Sequence, residues 1–320
     1  KIPFVDLATQ LRNIRPEIDR AMDQVLAETA FVRGHFVQEF EQRFAAECGV
    51  SQCVSLANGT DAIYIALKAL GLGPGDEVIT VANSWISTSE AISQTGASPV
   101  FVDIERGSFN IDADRIEERI TARTKAILPV HLYGQPCEVE RIQEICRRHG
   151  LFLVEDCAQA HFARSGGQLV GTFGDVGCFS FYPGKNLGAF GDAGAVVTDD
   201  EELAKRIRMY ANHGSMVKHQ HEIEGVNSRL DGLQAAVLLV KMDHIHDWNA
   251  GRREVARLYG ELLEGVEGVV APSTRAGAEH VFHIYCVLAE ARPALQSFLQ
   301  ERGVASCINH PTPLPFLHTS

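Results

Sequence analysis

The sequence predicts an α/β fold in which a mostly parallel sheet lies between layers of helices, followed by a smaller α+β domain. Short apolar runs alternate with amphipathic stretches between residues 55 and 198, which is typical of such a sheet. The texture changes within 225–250, and beyond Val269 it becomes strand–helix–strand. The 320 residues suffice for a large domain at 1–245, including an N-terminal helical segment, and a small domain at 246–320.

The individual elements follow from apolar periodicity. The first sixty residues predict one helix and its surroundings, with helical apolar spacing at 18–26 and again at 36–46. Strand-like runs follow at 78–81, 100–103, 126–130, 151–154, 178–181 and 195–198, and helical patterns at 63–70, 90–94 and 141–148. A long helix is predicted at 234–248 with helical continuation at 252–263, then a strand, a helix and a strand at 283–288, 294–302 and 305–309.

Composition and charge exclude several classes of function. The net charge of −12 gives no basic stripe for nucleic acid and no attraction to an anionic membrane. The N-terminus has no apolar signal core, and no apolar run is long enough to cross a bilayer. The eight cysteines lack the tight spacing of a zinc or redox motif, so we expect reduced thiols and a cytoplasmic location. For the cluster of His213, His219 and His221 beside Lys218, a solvated or substrate-facing loop is favoured over zinc.

Several polar residues follow strands or precede helices, where ligands bind in α/β proteins. Lys185 lies in a turn-rich run directly after the strand at 178–181, and Asp156 ends the buried strand at 151–154 with Gln159 three residues on. A helix start with Gly, Thr and Asp spans 59–61. Each signal alone has an ordinary explanation, namely a solvent-exposed loop lysine for Lys185 and helix N-caps for the others.

Together these residues match the needs of a pyridoxal phosphate site. Such a site requires a lysine that forms an imine, a carboxylate against the pyridine nitrogen, and backbone amides at a helix start for the phosphate. Lys185, Asp156 and the helix start at 59–61 supply these groups in turn. Trp85 is a candidate to stack on the cofactor ring, although one tryptophan also fits a core, and Ser180 can reach the phosphate.

The chain resembles the DegT/DnrJ/EryC1/StrS sugar aminotransferases, a branch of the fold-type I pyridoxal phosphate enzymes. The resemblance runs from Ile2 to about Pro315. It rests on these motifs: Asn58-Gly59-Thr60-Asp61-Ala62, Gly73-Pro74-Gly75-Asp76-Glu77-Val78, Pro129-Val130-His131-Leu132-Tyr133-Gly134-Gln135-Pro136, Glu155-Asp156-Cys157-Ala158-Gln159-Ala160-His161, Phe179 to Gly194, and Asn227-Ser228-Arg229-Leu230-Asp231.

The resemblance implies a seven-stranded, mostly parallel sheet and a role for each site residue. Lys185 is implied as the Schiff-base and catalytic lysine, Asp156 as the pyridinium partner and Gln159 as the neighbour of the ring hydroxyl. Trp85 is implied as the stacking residue. The implied phosphate contacts are Gly59, Thr60, Asp61, Ser180 and Asn227, the last reaching into the partner's site of a homodimer with shared active sites. His161, Tyr182, Lys218, His221 and His310 are similar to positions near the sugar or its diphosphate.

The implied reaction is a two-step transamination. An amino donor, glutamate by analogy, leaves its amino group on the cofactor as pyridoxamine phosphate, and a nucleotide-linked keto sugar then receives it. The runs around Lys185 and Gln159 look most similar to enzymes that aminate the three-position of dTDP-linked keto-6-deoxyhexoses. Amination at the four-position and a UDP-linked sugar stay open. A dehydratase of this family, which has histidine in place of the lysine, and a regulatory homologue without chemistry are the alternatives from other classes.

The sequence also departs from the family pattern. Phe162-Ala163 replaces the usual Gly-Ala pair after His161, and Asn309 stands before His310-Pro311 where an aromatic residue is usual. Family members usually continue past the equivalent of Ser320, so the resemblance predicts a small domain that is incomplete here. The departures at Phe162-Ala163 and at Asn309 bear on substrate fit.

Overall fold

The computed structural model describes residues 1–317, and residues 318–320 of the predicted small domain lie outside the described part. The helices are α1 (Leu7–Glu28), α2 (His35–Cys48), α3 (Gly59–Ala69), α4 (Ile86–Gln94), α5 (Val139–His149), α6 (Glu201–Tyr210), α7 (Gly232–Met242), α8 (Ile245–Leu263) and α9 (Arg292–Glu301). Among residues 1–317, no helix has both the length and the apolar character needed to cross a bilayer.

The strands form one large sheet and two small ones. They are β1 (Gln52–Leu56), β2 (Glu77–Val81), β3 (Ser98–Val102), β4 (Thr124–Leu128), β5 (Phe152–Asp156), β6 (Arg164–Ser165), β7 (Gln168–Leu169), β8 (Val176–Ser180), β9 (Gly194–Thr198), β10 (Val269–Val270), β11 (Ala278–Glu279) and β12 (Leu288–Ala289). The large sheet has seven strands in the order β1-β9-β8-β5-β4-β2-β3. Strands β8, β5, β4, β2 and β3 run parallel and β9 runs antiparallel, which confirms the predicted mostly parallel sheet.

Side chains that alternate along the strands build a core on each face of the sheet. On β8, Cys178 faces the core formed with α3, α5 and α6, whereas Phe179 faces the one formed with α2 and α7. On β9, Val196 and Val197 divide in the same way. In the second core Phe44 contacts Phe179 and Phe181 edge-on, with centroids 5.1 and 5.3 Å apart. The sheet is therefore rigid at the strand ends that carry the polar residues.

Local sequence sets several element ends. Side chains of Asp6, Asn58 and Asp200 cap the N-termini of α1, α3 and α6 by accepting backbone N–H groups in the first turn. Gly49 and Gly150 end α2 and α5 in the left-handed region, where glycine has no steric penalty. Of these ends, the start of α3 agrees with the helix start predicted at 59–61.

Four predictions about elements were wrong. The N-terminal region contains two helices, because Thr29 ends α1 with a φ of 53°. The predicted single helix at 234–248 breaks between Met242 and Ile245, where Asp243 and His244 are tied to α2 and α1 through Arg43 and Glu17. The predicted strand at 305–309 is irregular chain, and the one at 283–288 is reduced to the two residues of β12.

The proposed domain boundary lies close to the start of α8. Helix α8 leads into β10, β11, β12 and α9, which all lie in the predicted small domain. Strand β11 pairs with β6, so a strand of this C-terminal region adds to a hairpin of the N-terminal one. The division at 245/246 stays a prediction.

Candidate active site

Asp156 lies at the carboxyl end of β5, in the middle of the large sheet. Its backbone N–H donates to Pro129 O (2.9 Å), and its carbonyl accepts from His131 N (3.0 Å). Its buried carboxylate accepts from the Ala158 N–H and the Thr88 hydroxyl, both at 3.1 Å. Burial raises the pKa of Asp156, while the Ala158 N–H and the charge of Lys185 act in the opposite direction. The carboxylate is thus fixed in position and dry.

Lys185 lies in a tight loop between β8 and β9, half-buried, with its N–H donating to Tyr182 O at 2.8 Å. The same loop is closed by a hydrogen bond from Ala189 N to Phe181 O (2.7 Å). Burial lowers the pKa of the Lys185 amine, and the charge of Asp156 partly offsets this. A larger share of the amine is therefore neutral, which is the form that attacks a carbonyl carbon.

The N-terminus of α3 approaches the end of β8 very closely. A Cβ atom on Gly59 would lie 2.5 Å from Cβ of Ser180, so only glycine fits there. The Thr60 hydroxyl donates to Ser87 Oγ at 2.8 Å. Within residues 1–317, no hydrogen bond occupies the backbone N–H of Gly59 or Thr60. Free backbone amides beside a serine and a threonine form a cradle for a phosphate group.

Asp61, which the resemblance implies as a phosphate contact, has its backbone N–H and its carboxylate engaged within the protein. Its backbone N–H donates to Asn58 Oδ1 at 2.8 Å, and its carboxylate accepts from the Ser228 hydroxyl at 2.7 Å. With both groups engaged, Asp61 holds the helix start against the segment that carries Asn227. Asn227 itself is exposed.

Gln159 is buried and lies three residues after Asp156, directly after Ala158. Its Oε1 accepts from the backbone N–H of Tyr133 at 2.7 Å, so its Nε2 is the side left to donate to a ligand. Tyr133 has a φ of 60°, an uncommon value for a bulky residue. This backbone turn directs the Tyr133 N–H towards Gln159 and so fixes the orientation of the amide.

The predicted ring-stacking and substrate residues divide into exposed and buried sets. Trp85 and Tyr182 are 64% and 59% exposed, at the start of α4 and in the lysine loop. Lys218 and His221 lie in an exposed loop, where His221 Nδ1 contacts His213 O at 2.8 Å. Within the described chain, no hydrogen bond links this loop to Lys185 or Asp156.

His161 and His310 are neutral and lie near Lys185. His161 is fully buried, and neither ring nitrogen has a hydrogen-bond partner among residues 1–317. Burial, helped by the charge of Lys185, lowers the pKa of His161 to about 3. His310 stacks on Tyr133 at 6.1 Å, its Nε2 also lacks a partner in the described residues, and burial lowers its pKa.

The departure at Phe162 does not point towards this site. Phe162 has a φ of 64°, in the region where the usual glycine is free of strain. Its ring lies in the core against Phe44, with centroids 5.7 Å apart, and against His246 at 5.1 Å. The Phe162 side chain therefore adds apolar contact to the core.

One buried cluster has the composition of a metal site: His131, Glu155 and Cys157. The Glu155 carboxylate already accepts from His131 and from three backbone N–H groups at 2.7–2.9 Å, those of Gly171, Phe173 and Gly174. His131 Nδ1 accepts from Cys137 N at 3.1 Å. Because the lone pairs are occupied by protein donors, the cluster acts as a structural support under Asp156.

Two residues that support the site were missed in the sequence. Thr88 on α4 contacts Asp156. Its position three residues after Trp85, at the start of the same helix, is the sequence signal that could have identified it. Lys241 on α7 is buried and donates through Nζ to Gly188 O at 2.6 Å, behind the lysine loop. A lysine inside an apolar helix gave no indication of this contact.

We expect Lys241 to make stability depend on alkaline pH. Burial lowers the pKa of Lys241 to about 8, whereas an unfolded lysine keeps its ordinary value of about 10.4. Between these values the unfolded chain binds more protons, so the free energy of unfolding rises with pH. Relative to Lys241→Met, the protein should gain roughly 3 kcal/mol between about pH 8 and pH 10.5.

Urea unfolding of the cofactor-free protein and the variant at several pH values measures this difference. The exposed Lys205 serves as control, since Lys205→Met should shift the curve equally at every pH. A difference for Lys241→Met that stays flat or falls over the window would contradict the assignment.

The residues present fit pyridoxal phosphate. The phosphate cradle at Gly59, the buried carboxylate of Asp156 and the unoccupied donor of Gln159 lie around a lysine whose pKa is lowered. Each group matches a different part of that cofactor: phosphate, ring nitrogen, ring hydroxyl and aldehyde.

Comparison with known proteins gives matches over nearly the whole chain. The model of the DegT/DnrJ/EryC1/StrS aminotransferase family matches residues 12–318. The chain is 46% identical over 315 residues to the pleiotropic regulatory protein of Geobacillus stearothermophilus, covering 98% of this chain and 85% of that protein. It is 44% identical over 314 residues to dTDP-3-amino-3,4,6-trideoxy-α-D-glucose transaminase of Streptomyces venezuelae, covering 98% and 83%.

A third relative and a solved structure extend these matches. The chain is 45% identical over 312 residues to UDP-N-acetyl-3-dehydro-α-D-glucosamine 3-aminotransferase of Acidithiobacillus ferrooxidans, covering 98% of this chain and 84% of that protein. The crystal structure of DesV from S. venezuelae superposes with a TM-score of 0.98 at 44% identity, covering 99% of this chain and 86% of that one. Sequence and fold therefore match together, from the N-terminal helices to the last described residues.

Proposed function

Because the chain belongs to the DegT/DnrJ/EryC1/StrS family of pyridoxal phosphate-dependent sugar-nucleotide aminotransferases, we propose that it transfers an amino group from glutamate to a nucleotide-linked keto sugar. Lys185 is the proposed catalytic residue of this transfer. The observation that carries this proposal is the pairing of Lys185 with the buried carboxylate of Asp156. Burial lowers the pKa of the lysine amine, and the carboxylate is fixed by Ala158 and Thr88.

Each residue has a defined task in this reaction. When bound, pyridoxal phosphate supplies an electron sink for the carbon that loses a proton. Lys185 would hold the cofactor, and its amine would take and return that proton. Asp156 would keep the ring nitrogen protonated, and Gln159 Nε2 would donate to the ring oxygen. Gly59, Thr60 and Ser180 would bind the phosphate.

The active unit that we propose is a homodimer with shared sites. The exposed side chains of Trp85 and Tyr182 lie at the edges of the lysine site, and Phe190 in the same loop is 41% exposed. A second copy of the chain would cover these rings and bring its Asn227 to the phosphate cradle. Lys218 and His221, which lie on an exposed loop, would then face the diphosphate of the sugar nucleotide in the partner's site.

For the substrate, we propose a dTDP-linked 3-keto-6-deoxyhexose. The names of the S. venezuelae and A. ferrooxidans relatives both specify amination at carbon three, but one acts on a dTDP sugar and the other on a UDP sugar. Both relatives therefore support amination at carbon three. One of them supports a dTDP-linked sugar and the other a UDP-linked sugar. Among residues 1–317, both ring nitrogens of His161 and Nε2 of His310 lack a hydrogen-bond partner, which supports a role for them in binding sugar hydroxyls.

A substrate panel tests this proposal. The purified protein is first converted to its pyridoxamine phosphate form with glutamate, and keto sugars linked to dTDP or UDP, with the ketone at carbon three or four, are then added. We expect the dTDP-linked 3-keto-6-deoxyhexose to restore the spectrum of the lysine-bound cofactor at least tenfold faster than the others, since nucleotide and ring position contact different residues. A faster response to a UDP sugar or to a 4-keto sugar would contradict the substrate assignment.

One relative's name favours a second candidate, a regulatory protein without chemistry. The G. stearothermophilus protein is described as a pleiotropic regulatory protein. A chain without chemistry does not require Lys185, Asp156 and Gln159 in this arrangement, and all three are present. Histidine in place of the lysine would indicate the dehydratase branch, and Lys185 argues against that. Turnover of any keto sugar by the panel decides against the regulatory candidate.

A further inference from the structure

The residue after the proposed catalytic lysine is anchored more firmly than the lysine itself. Asn186 is buried, with 2% of its surface exposed. Its Nδ2 donates to Asn249 Oδ1 at 2.9 Å and to Val281 O at 3.0 Å. Its Oδ1 lies 3.2 Å from Nδ1 of His283. All the hydrogen-bonding groups of this side chain are therefore engaged by residues far away in sequence.

The direction of each hydrogen bond in this network is fixed by backbone carbonyls. Val281 O can only accept, so the nitrogen of Asn186 must face it and the oxygen must face His283. His161 O in turn accepts from Asn249 Nδ2 at 3.0 Å, which leaves Asn249 Oδ1 as the acceptor for Asn186. His283 must then carry its proton on Nδ1.

This arrangement defines the state of His283 next to the lysine. With its proton on Nδ1 and donated to Asn186, His283 has a free lone pair on Nε2. Burial lowers its pKa, and the charge of Lys185 is the next cause. The Arg252 guanidinium fixes the same segment by donating to Phe282 O and His283 O at 3.0 and 3.2 Å.

The far end of the lysine loop has separate anchors. Lys241 donates to Gly188 O at 2.6 Å, and Phe190 N donates to Gln234 Oε1 at 2.8 Å. Both anchors come from α7 and lie after the lysine. On the lysine side of the loop, Asn186 is the side chain that ties the backbone to α8, through Asn249, and to the 281–283 segment.

We propose that Asn186 is a positioning residue for transamination, which holds the Lys185 amine at the carbon that exchanges protons and keeps His283 in its Nδ1-protonated form. This inference rests on the proposed function of Lys185 and adds its supporting residues, Asn186, Asn249 and His283. Proton transfer requires the amine at hydrogen-bonding distance, and a displacement of about 1 Å can cost roughly 10²-fold in rate. Cofactor affinity depends instead on the phosphate cradle and Asp156.

The test is a double-mutant cycle on the cofactor-loaded protein with Asn186→Ala, Asn249→Ala and the double variant. We expect the maximal rate of amino transfer from glutamate to fall about 30-fold in Asn186→Ala and about tenfold in Asn249→Ala. The glutamate concentration that gives half the maximal rate should change less than about threefold. Borohydride reduction followed by mass spectrometry should show the cofactor attached to Lys185 in every molecule. The double variant should be no slower than Asn186→Ala, because the two residues act through one network.

A second readout does not require the cofactor. In the cofactor-free protein, amide hydrogen exchange of the loop at 183–190 should accelerate about tenfold in Asn186→Ala, while exchange at α5 stays unchanged. Gln143→Ala on α5 is the matched control, since it removes an amide hydrogen bond to the backbone carbonyl of Phe173 on another part of the large domain. Its amino-transfer rate should remain that of the unmodified protein.

The outcomes separate this inference from the proposed function. A rate for Asn186→Ala within about threefold of the unmodified protein at full occupancy, or additive losses in the double variant, would overturn the role of Asn186. If the unmodified protein does not attach the cofactor at Lys185, the proposed function fails, and unchanged loop exchange in Asn186→Ala then overturns the anchoring separately. If Asn186→Ala does not fold, Asn249→Ala and His283→Phe are judged by the same criteria.

Discussion

Replacing Lys185 with alanine is expected to abolish covalent attachment of the cofactor and to lower amino transfer by at least about 10³-fold. In the proposed reaction the lysine has two tasks, as the amine that binds the aldehyde and as the group that moves the proton. Methyl-sized alanine can do neither, and water that enters the vacated space is a poor base at this position. Absorbance of the lysine-bound cofactor, borohydride trapping and the single-turnover rate with glutamate measure the two losses separately.

The control for this substitution is Lys205→Ala, an exposed lysine on α6. It should retain both the absorbance and the rate of the unmodified protein. Phosphate binding should survive in Lys185→Ala, because Gly59, Thr60 and Ser180 are unchanged. A Lys185→Ala protein that lacks the bound chromophore and still transaminates at the normal rate would disprove the assignment of Lys185.

The sequence predicted the sheet well where strands are apolar and buried on both faces. Strands β2, β4 and β5 each contain a short, largely apolar run, at 78–81, 126–128 and 152–154, so their positions were clear. Strand β1 was missed because it includes Gln52 and Ser55, and it becomes a strand through its antiparallel pairing with β9. The break between α7 and α8 depends on contacts of Asp243 and His244 with distant helices, which periodicity does not contain.

The same distinction applies to the site. The positions of Lys185, Asp156 and Gln159 near strand ends could be predicted because each lies at or after the end of a buried strand, and the close approach at Gly59 is implied by a glycine at a helix start. Residues that act on these from elsewhere gave little signal. The contact between Asn186 and His283 joins positions 97 residues apart, and Tyr133 acts through its backbone N–H, which any residue type possesses. Only the folded chain reveals such supports.

The carboxylate of Asp156 should matter almost as much as the lysine. In Asp156→Asn the side chain keeps its shape, and its oxygen can still accept from the Ala158 N–H, so the fold around β5 should persist. The negative charge that keeps the ring nitrogen protonated is lost, and the ring withdraws electrons less strongly. We expect the rate of amino transfer to fall about 10²–10³-fold, the usual effect of removing one electrostatic stabiliser from a dry site.

Comparison with Thr88→Val separates the charge from its hydrogen bond. Valine removes the hydroxyl that donates to Asp156 at 3.1 Å but keeps the volume and the carboxylate. We expect a loss of at most about tenfold there, because the negative charge of Asp156 is kept and the Ala158 N–H still donates to it. Both variants should still attach the cofactor at Lys185. Equal rates for Asp156→Asn and the unmodified protein would show that the ring nitrogen does not depend on this carboxylate, and the pairing of Asp156 with Lys185 would then lose its catalytic meaning.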